Sequence, residues 1–337
     1  MEILYDTRWI GNHGIGRFAR ELLSLLPGLT PFEARRRPSH PLDAALLGAA
    51  LWRRKPALFF SPGYNSPMGW HCPFVFTIHD LNHLHVTVNS NAAKRAYYRY
   101  VMLPACHKAA SVLTGSEYAK NEIREWAKLE EDKIVAVRYG VGLPFGASGG
   151  RRNLGYPYLL YVGNRKPHKN LARLLRAFAI SGVRRSVRLV LTGSRDSEIS
   201  AQIESQGLNG DVTFVGVPED EQLADLYRGA EALVFPSLYE GFGLPALEAM
   251  ACGVPVLTSK VCALPEVVGD AAVLVDPSDV EAIADGIHRL TEDNTLREEL
   301  RRKGLKRARQ FSWDKTARLT WKVLQAAAGK PSVAFPP

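Results

Sequence analysis

A chain of 337 residues, 46% hydrophobic and 23% charged, is long enough for two domains, each with its own core. The net charge of +9 favours an acidic partner (nucleic acid, anionic lipid or a phosphorylated substrate), and residues 1–150 carry most of the excess, with 18 Lys and Arg against 12 Asp and Glu. Cys72, Cys106, Cys252 and Cys262 form no C-x-x-C pair, charges at Glu2, Asp6 and Arg8 interrupt the apolar core of a signal peptide, and no uncharged apolar run nears the roughly 20 residues of a spanning helix, so a disulfide scaffold and an integral membrane protein are excluded and a cytoplasmic protein, at most lying on a membrane, is expected.

Glu2 to Asp6 reads as a first strand. The glycines at 11, 14 and 16 follow, then a helix with Phe18, Leu22 and Leu25 on one face. Strand, glycine loop, helix brings backbone N–H groups to a phosphate, although the spacing G-x-x-G-x-G is not that of a dinucleotide fold and a plain tight turn stays open. Residues 27–56 hold Arg35-Arg36-Arg37, an apolar stretch from Leu42 to Trp52 broken by Asp43, and Arg53-Arg54-Lys55. They suit an anionic membrane surface, or a plain amphipathic core helix with a solvated basic end.

Ala57 to Phe60 and Phe74 to Ile78 read as strands, the second ending in His79-Asp80-Leu81-Asn82-His83-Leu84-His85. A His at the carboxyl end of a parallel strand stands where open α/β sheets bind ligands. A metal set of His79, Asp80, His83 and His85 lacks a second group of compatible ligands, and His83 and His85 read as polar loop residues. Residues 92–108 mix Lys94, Arg95, Arg99 and Lys108 with Tyr97, Tyr98 and Tyr100, as a headgroup or nucleic-acid face would, or a surface helix that Pro104 kinks or ends. Ala110 to Thr114 is a strand, Ser116 caps a helix through Trp126, and Ile134 to Val137 closes the first sheet.

Five glycines between 142 and 155 mark a linker. The strand Tyr158 to Val162 breaks at Gly163–Asn170, before a helix bearing Leu171, Leu174, Leu175 and Phe178. Arg165 and Lys169, two cations just before a helix start, suit a diphosphate, or form a solvated basic loop. Strands at Val187–Leu191 and Val212–Val215 follow, then Gly216-Val217-Pro218 and a polar helix from Glu219 to Arg228. The strand Ala232 to Phe235 stops at Pro236. Glu240 lies in the loop beyond it, Gly241-Phe242-Gly243 is flexible, and a helix opens at Leu244 with Glu248 one turn in. The carboxylates suit hydroxyls and the helix-start amides suit phosphate, so a sugar diphosphate fits the segment. Strands at Val254–Leu257 and Ala272–Val275, a helix with Val280, Ile283, Ile287 and Leu290, helices over 295–310 and 312–328, and a Pro-rich tail after Gly329 complete the chain.

Glu240 and Glu248 are spaced as E-x7-E, and YEGFGLPALEAMACGVPVLTS around them resembles glycosyltransferase family 4, the retaining transferases with two Rossmann-like domains of the GT-B fold. The resemblance covers most of the chain and is densest from 157 to 277. It implies that Glu240 contacts the donor sugar and Glu248 the ribose. It further implies that the stretch GIGRFAREL, with Gly14 and Gly16, lies beside the diphosphate, that His79 reaches the sugar near the reacting carbon, and that Arg165 and Lys169 bind the diphosphate and neutralise the leaving group. The backbone at Val217 would approach the base, and Gly241, Phe242, Gly243 and Leu244 would complete the donor site. Arg165 is one residue later than in many members and its spacing to Lys169 is shorter, so Lys166 is an alternative to it. Tyr139 replaces the Asn of the family's Asn-Gly-Val run and inherits no role.

The expected architecture is therefore α/β, GT-B, two doubly wound parallel-sheet domains facing a central cleft. Residues 1–145 form the acceptor domain, 146–156 the linker, 157–311 the nucleotide-sugar domain, and 312–328 a helix crossing back towards the first domain. The resemblance implies retaining, metal-independent transfer of a hexose by front-face attack. GNRKPHKNLARLL with GIGRFAREL resembles bacterial mannosyltransferases, which makes GDP-mannose the first donor, with GDP and UDP not separable from one sequence. No cofactor beyond the nucleotide sugar is expected. The expected acceptor is a saccharide or polyprenyl-linked saccharide in surface-polysaccharide (lipopolysaccharide) assembly, an anionic membrane is an open partner, and nucleic acid is not expected. A nucleotide-sugar epimerase, a phosphorylase and a non-catalytic nucleotide-sugar-binding protein remain alternatives.

Overall fold

Runs such as ILYD, LFFS, FVFT and SVLT are buried at every position and form the strands of a fully covered parallel sheet. The computed structural model describes residues 2–34, 37–38, 40–86, 91–329 and 335. Arg35 and Arg36 of the basic run, and the tail after Gly329 apart from Phe335, lie outside the described residues. The chain divides into two compact units, 1–140 with 312–337, and 141–311.

In the first unit β1 (Ile3–Asp6) leads through α1 (Gly14–Leu25) to β2 (Leu29–Phe32), and α2 (Asp43–Arg54) leads to β3 (Leu58–Ser61) and β4 (Phe74–Thr77). A single-turn α3 (Asn82–His85), α4 (Ala92–Tyr97) and α5 (Leu103–Lys108) precede β5 (Ser111–Thr114), α6 (Glu117–Ala127) and β6 (Ile134–Ala136). All neighbours pair in parallel in the order β2-β1-β3-β4-β5-β6. The sequence reading left out β2, whose Pro31 is tolerated because β2 is an edge strand paired only with β1. The regular helix over residues 92–108 is interrupted by a π-turn at Tyr98–Met102 directly before Pro104, which stands in the first turn of α5.

The second unit runs β7 (Tyr158–Tyr161), α7 (Leu171–Ile180), β8 (Arg188–Leu191), α8 (Ser197–Ser205), β9 (Val212–Phe214), α9 (Asp220–Gly229), β10 (Ala232–Phe235), α10 (Leu244–Ala251), β11 (Val256–Ser259), α11 (Leu264–Val268), β12 (Val273–Val275), α12 (Val280–Glu292) and α13 (Asn294–Ala308). Its parallel sheet has the order β12-β11-β10-β7-β8-β9. Leu174, Phe178, Ile283, Ile287 and Leu290, from α7 and α12, pack against Leu159, Leu189 and Val234 of the strands in one core. The glycine-rich stretch after Val141 belongs to this unit. The buried Arg228 fastens it, donating to the carbonyls of Pro144 (3.1 Å), Gly146 (3.1 Å) and Gly150 (2.5 Å). The final helix, α14 (Trp313–Ala327), packs on α1, β3, β4 and β5 of the first unit.

Candidate active site

In the second sheet the chain steps outward from β7 to β8 and β9, then returns to the other side of β7 for β10, β11 and β12. The connections after β7 and β10 therefore diverge, which opens a crevice at the carboxyl ends of these two strands. Lys169 stands in the loop after β7 and Glu240 in the loop after β10. Lys169 Nζ lies 2.7 Å from Glu240 Oε1, with the side chains only 15% and 11% exposed, and 5.3 Å from the centre of the Phe235 ring. Removing either partner would leave a charge that little water can reach.

The two loops are fixed to each other by backbone groups. Asn170 adopts φ 62°, a conformation Asn tolerates, and its amide donates to the carbonyls of Pro236 (2.8 Å) and Pro277 (2.7 Å). The Leu238 N–H donates to the His168 carbonyl at 2.7 Å, and the Ala263 N–H to the Glu240 carbonyl at 3.3 Å. Beyond Gly241 and the buried Phe242, which sets its ring edge-on to Phe311, Gly243 caps α10 at φ 106°. A Cβ on Gly243 would lie 2.6 Å from Leu264 Cδ2, so both backbone angle and space demand glycine. Leu244 opens α10, and its cap residue, Gly243, has no side chain to take up that end's N–H groups. Its N-terminal amides therefore present positive potential at the crevice. Glu248 is buried one turn in, and its Oε2 accepts the Tyr227 hydroxyl at 3.1 Å.

Not every expected residue joins this group. The Arg165 guanidinium pairs with Asp196, the residue that caps α8, and lies over the Phe214 ring. Lys166 is exposed. Val217 is 76% exposed at the end of β9, just after Gly216, whose carbonyl accepts the Gly193 N–H at 2.6 Å.

In the first unit Gly14 and Gly16 form the first turn of α1 rather than a loop before it. The Gly16 N–H is already taken by His13 Nδ1 at 2.9 Å, and a Cβ on Gly16 would lie 2.1 Å from the Gly11 carbonyl oxygen. Burial and the nearby Arg20 hold the His13 pKa below its usual range. His79 is buried at the end of β4, with Nε2 2.8 Å from the Pro62 carbonyl and Nδ1 2.5 Å from the Tyr139 hydroxyl. A carbonyl only accepts, so Nε2 carries the proton and Nδ1 receives the hydroxyl's. Burial lowers the His79 pKa to about 4, which keeps the ring neutral. Phe18, Tyr64 and Tyr139 enclose it, with ring centroids 5.4, 5.6 and 5.6 Å away. Among the described residues, no group of three or more His, Cys, Asp or Glu side chains is placed to hold a metal ion. His85 faces Glu122 at 3.4 Å instead.

A family model described as Glycosyltransferase Family 4 matches residues 6–143, and one described as Glycosyl transferases group 1 matches residues 149–307. O-antigen chain mannosyltransferase B of Escherichia coli is 34% identical over 254 residues, 71% of this chain and 67% of that protein. The chain belongs to glycosyltransferase family 4. As a family 4 member it is a glycosyltransferase of the two-domain, Rossmann-like GT-B fold. Serotype-specific mannosyltransferase WbdA of Escherichia coli is 30% identical over 229 residues, 63% of this chain but only 28% of that longer relative. The crystal structure of Anabaena HepE in complex with UDP and glucose aligns over 97% of this chain and 100% of that one, with a TM-score of 0.75 at 17% identity, a likeness of fold.

Sequence reading gave this glycosyltransferase no role for Asn170, Tyr227, His13 or Tyr139. Asn170 precedes the helix signal as a cap residue would, yet its side chain makes long-range bonds instead. Tyr227 stands four residues after the buried Leu223 on α9 and reads as core until Glu248 is seen against it.

Proposed function

We propose that this glycosyltransferase transfers a hexose, in the first instance mannose from GDP-mannose, with retention of configuration, to a saccharide or lipid-linked saccharide in surface-polysaccharide assembly. The Lys169–Glu240 pair in the crevice of the second unit carries the reading. An ammonium has three donors, so Lys169 can keep Glu240 and still donate to the donor diphosphate. There it would offset negative charge developing on the leaving phosphate. Glu240 would hold the sugar hydroxyls, with one oxygen already fixed by Lys169, and so serves as a binder rather than a covalent nucleophile. The departing phosphate would take the acceptor's proton on the same face. The α10 amides would meet the diphosphate, and Glu248 the ribose. Arg165 would join only by leaving Asp196. His79, neutral and with both ring nitrogens engaged, would present a rigid surface to the sugar and take no part in proton transfer.

The two mannosyltransferase relatives support mannose, and HepE with its UDP supports a UDP-linked donor as the second reading. A thermal-shift screen of GDP, UDP, ADP and TDP tests the base, because the nucleotide bound by the folded state alone raises the melting temperature. Glu240→Ala is expected to abolish transfer and Glu248→Ala to weaken donor binding. Full activity of the double variant would refute the assignment. The mass of the product separates transfer from epimerisation, and a rate unchanged by chelator is expected of a metal-independent reaction.

A further inference from the structure

Glu248, the residue proposed for the ribose, is a buried carboxylate one turn into α10, 4% exposed, where water cannot steady it. A charged side chain in such a place needs protein donors, both to be tolerated there and to meet a ligand in one geometry. The Tyr227 hydroxyl is such a donor. It lies 3.1 Å from Glu248 Oε2, and the whole tyrosine is buried. An ionised carboxylate only accepts, so the hydroxyl donates and the phenol keeps its proton. With about four lone-pair sites, the carboxylate can accept from Tyr227 and from sugar hydroxyls together.

Tyr227 is itself held from several sides. The Tyr158 hydroxyl, on the central strand β7, donates to the Leu226 carbonyl at 2.7 Å and ties the last turn of α9 to the sheet. A Cβ on Gly229 would lie 2.5 Å from that same hydroxyl, so the helix end sits close against β7. Arg228, the next residue, holds the carbonyls of Pro144, Gly146 and Gly150 in the glycine-rich stretch. From that stretch Phe145 sets its ring edge-on to Tyr227, with centroids 6.1 Å apart and 72° between the planes. A phenol on a helix end fixed in this way has one place for its oxygen, and that place sets the carboxylate's. We propose that Tyr227 is a positioning residue for the nucleotide: it holds Glu248 in the orientation that accepts from the ribose diol, and so gives the site its preference for a ribonucleotide. The inference rests on the reading of Glu248 as the ribose residue and extends it to a side chain that, fully buried, acts on the ligand only through Glu248.

Isothermal titration of the full chain with GDP and with UDP, each against its dideoxyribose counterpart, tests it. The wild type is expected to bind the ribose form more tightly. Tyr227→Phe keeps the ring and removes the donor, and is expected to weaken the ribose form about tenfold while the dideoxy form stays within about twofold. The ratio of the two affinities therefore collapses, whereas a ring that only fills space would weaken both forms alike or neither. Both ligands are titrated into one preparation, so the ratio does not depend on the fraction folded. Phe145→Leu leaves the hydroxyl but removes the ring that steadies it; it is expected to move the ratio the same way by less, and it carries the test if Tyr227→Phe does not fold. In a Glu248→Ala background, Tyr227→Phe is expected to lower the ratio no further. A wild type that binds both forms equally would overturn the reading of Glu248 and the inference with it. A wild type that prefers ribose, with that preference intact in Tyr227→Phe, would overturn the inference alone, as would a further loss of preference in the double variant.

Discussion

The proton arrangement at His79 is fixed by what surrounds it, and it has consequences for both stability and spectra. Nε2–H faces a carbonyl and Nδ1 faces a hydroxyl, so the neutral ring satisfies both partners, and the imidazolium would need the Tyr139 hydroxyl to turn and accept instead of donate. With a folded pKa near 4 and an unfolded value near 6.5, the unfolded chain takes a proton first as pH falls. The contribution is therefore complete above about pH 6.5 and is lost on the way down to pH 4, on the order of 3 kcal/mol. Tyr139→Phe removes the donor to Nδ1 and leaves a buried acceptor unpaired, at a cost of about 1–3 kcal/mol at pH 7 in urea unfolding. The pH slope should also flatten, because the freed Nδ1 accepts a proton more readily. Nitrogen spectra of the wild-type imidazole should show the Nε2–H form at pH 7, and an Nδ1–H form would disprove the arrangement. None of this was legible in the sequence. His79 was, from its place after a strand, but its partner is 60 residues away and appeared only as a Tyr where the family has Asn.

The elements around the crevice at the ends of β7 and β10 were legible where pattern and tertiary demand agree. Ala232 to Phe235 and the helix from Leu244 stand where the sequence puts them, because a four-residue apolar run and a glycine-led start have few alternatives. The helix α8 went unread: SEISAQIES buries only Ile199 and Ile203, and its start is set by Asp196, which also draws Arg165 aside. Long-range capture of that kind decides where a flexible cation rests, and spacing cannot reveal it. The same holds for Asn170, whose two bonds join the ends of β10 and β12 to the start of α7. Asn170→Gly keeps the backbone angle but orphans two buried carbonyls, and is expected to cost roughly 2–3 kcal/mol in denaturant unfolding. Nucleotide affinity should fall with it, since Lys169 is the preceding residue. A loss below about 0.5 kcal/mol would show that these bonds do not hold the loop.

At the scale of the whole molecule, the chain leaves the first unit after Gly140 and returns to it at Ser312, so the first unit is completed by a helix, α14, that follows the second unit in the chain. The junction is tight. A Cβ on Gly140 would lie 2.1 Å from the Trp313 nitrogen, and the Thr316 hydroxyl donates to the Arg138 carbonyl at 2.6 Å. Trp313 is buried, stacks on Tyr139 at 6.4 Å and 24°, and reaches Phe18 at 6.5 Å. These are two of the three rings that enclose His79, so α14 is the outer wall of that enclosure. Ending the chain at Phe311 should therefore destabilise the first unit selectively. In hydrogen exchange, amides of α1 and of β3 to β5 are expected to lose protection, while those of β7 to β12 keep theirs. The second unit should still be stabilised by nucleotide, because Lys169, Glu240, Glu248 and Tyr227 lie within 141–311. Equal loss of protection in both units would mean that they fold as one cooperative body, and that α14 supports the crevice after β7 and β10 as much as the sheet it covers.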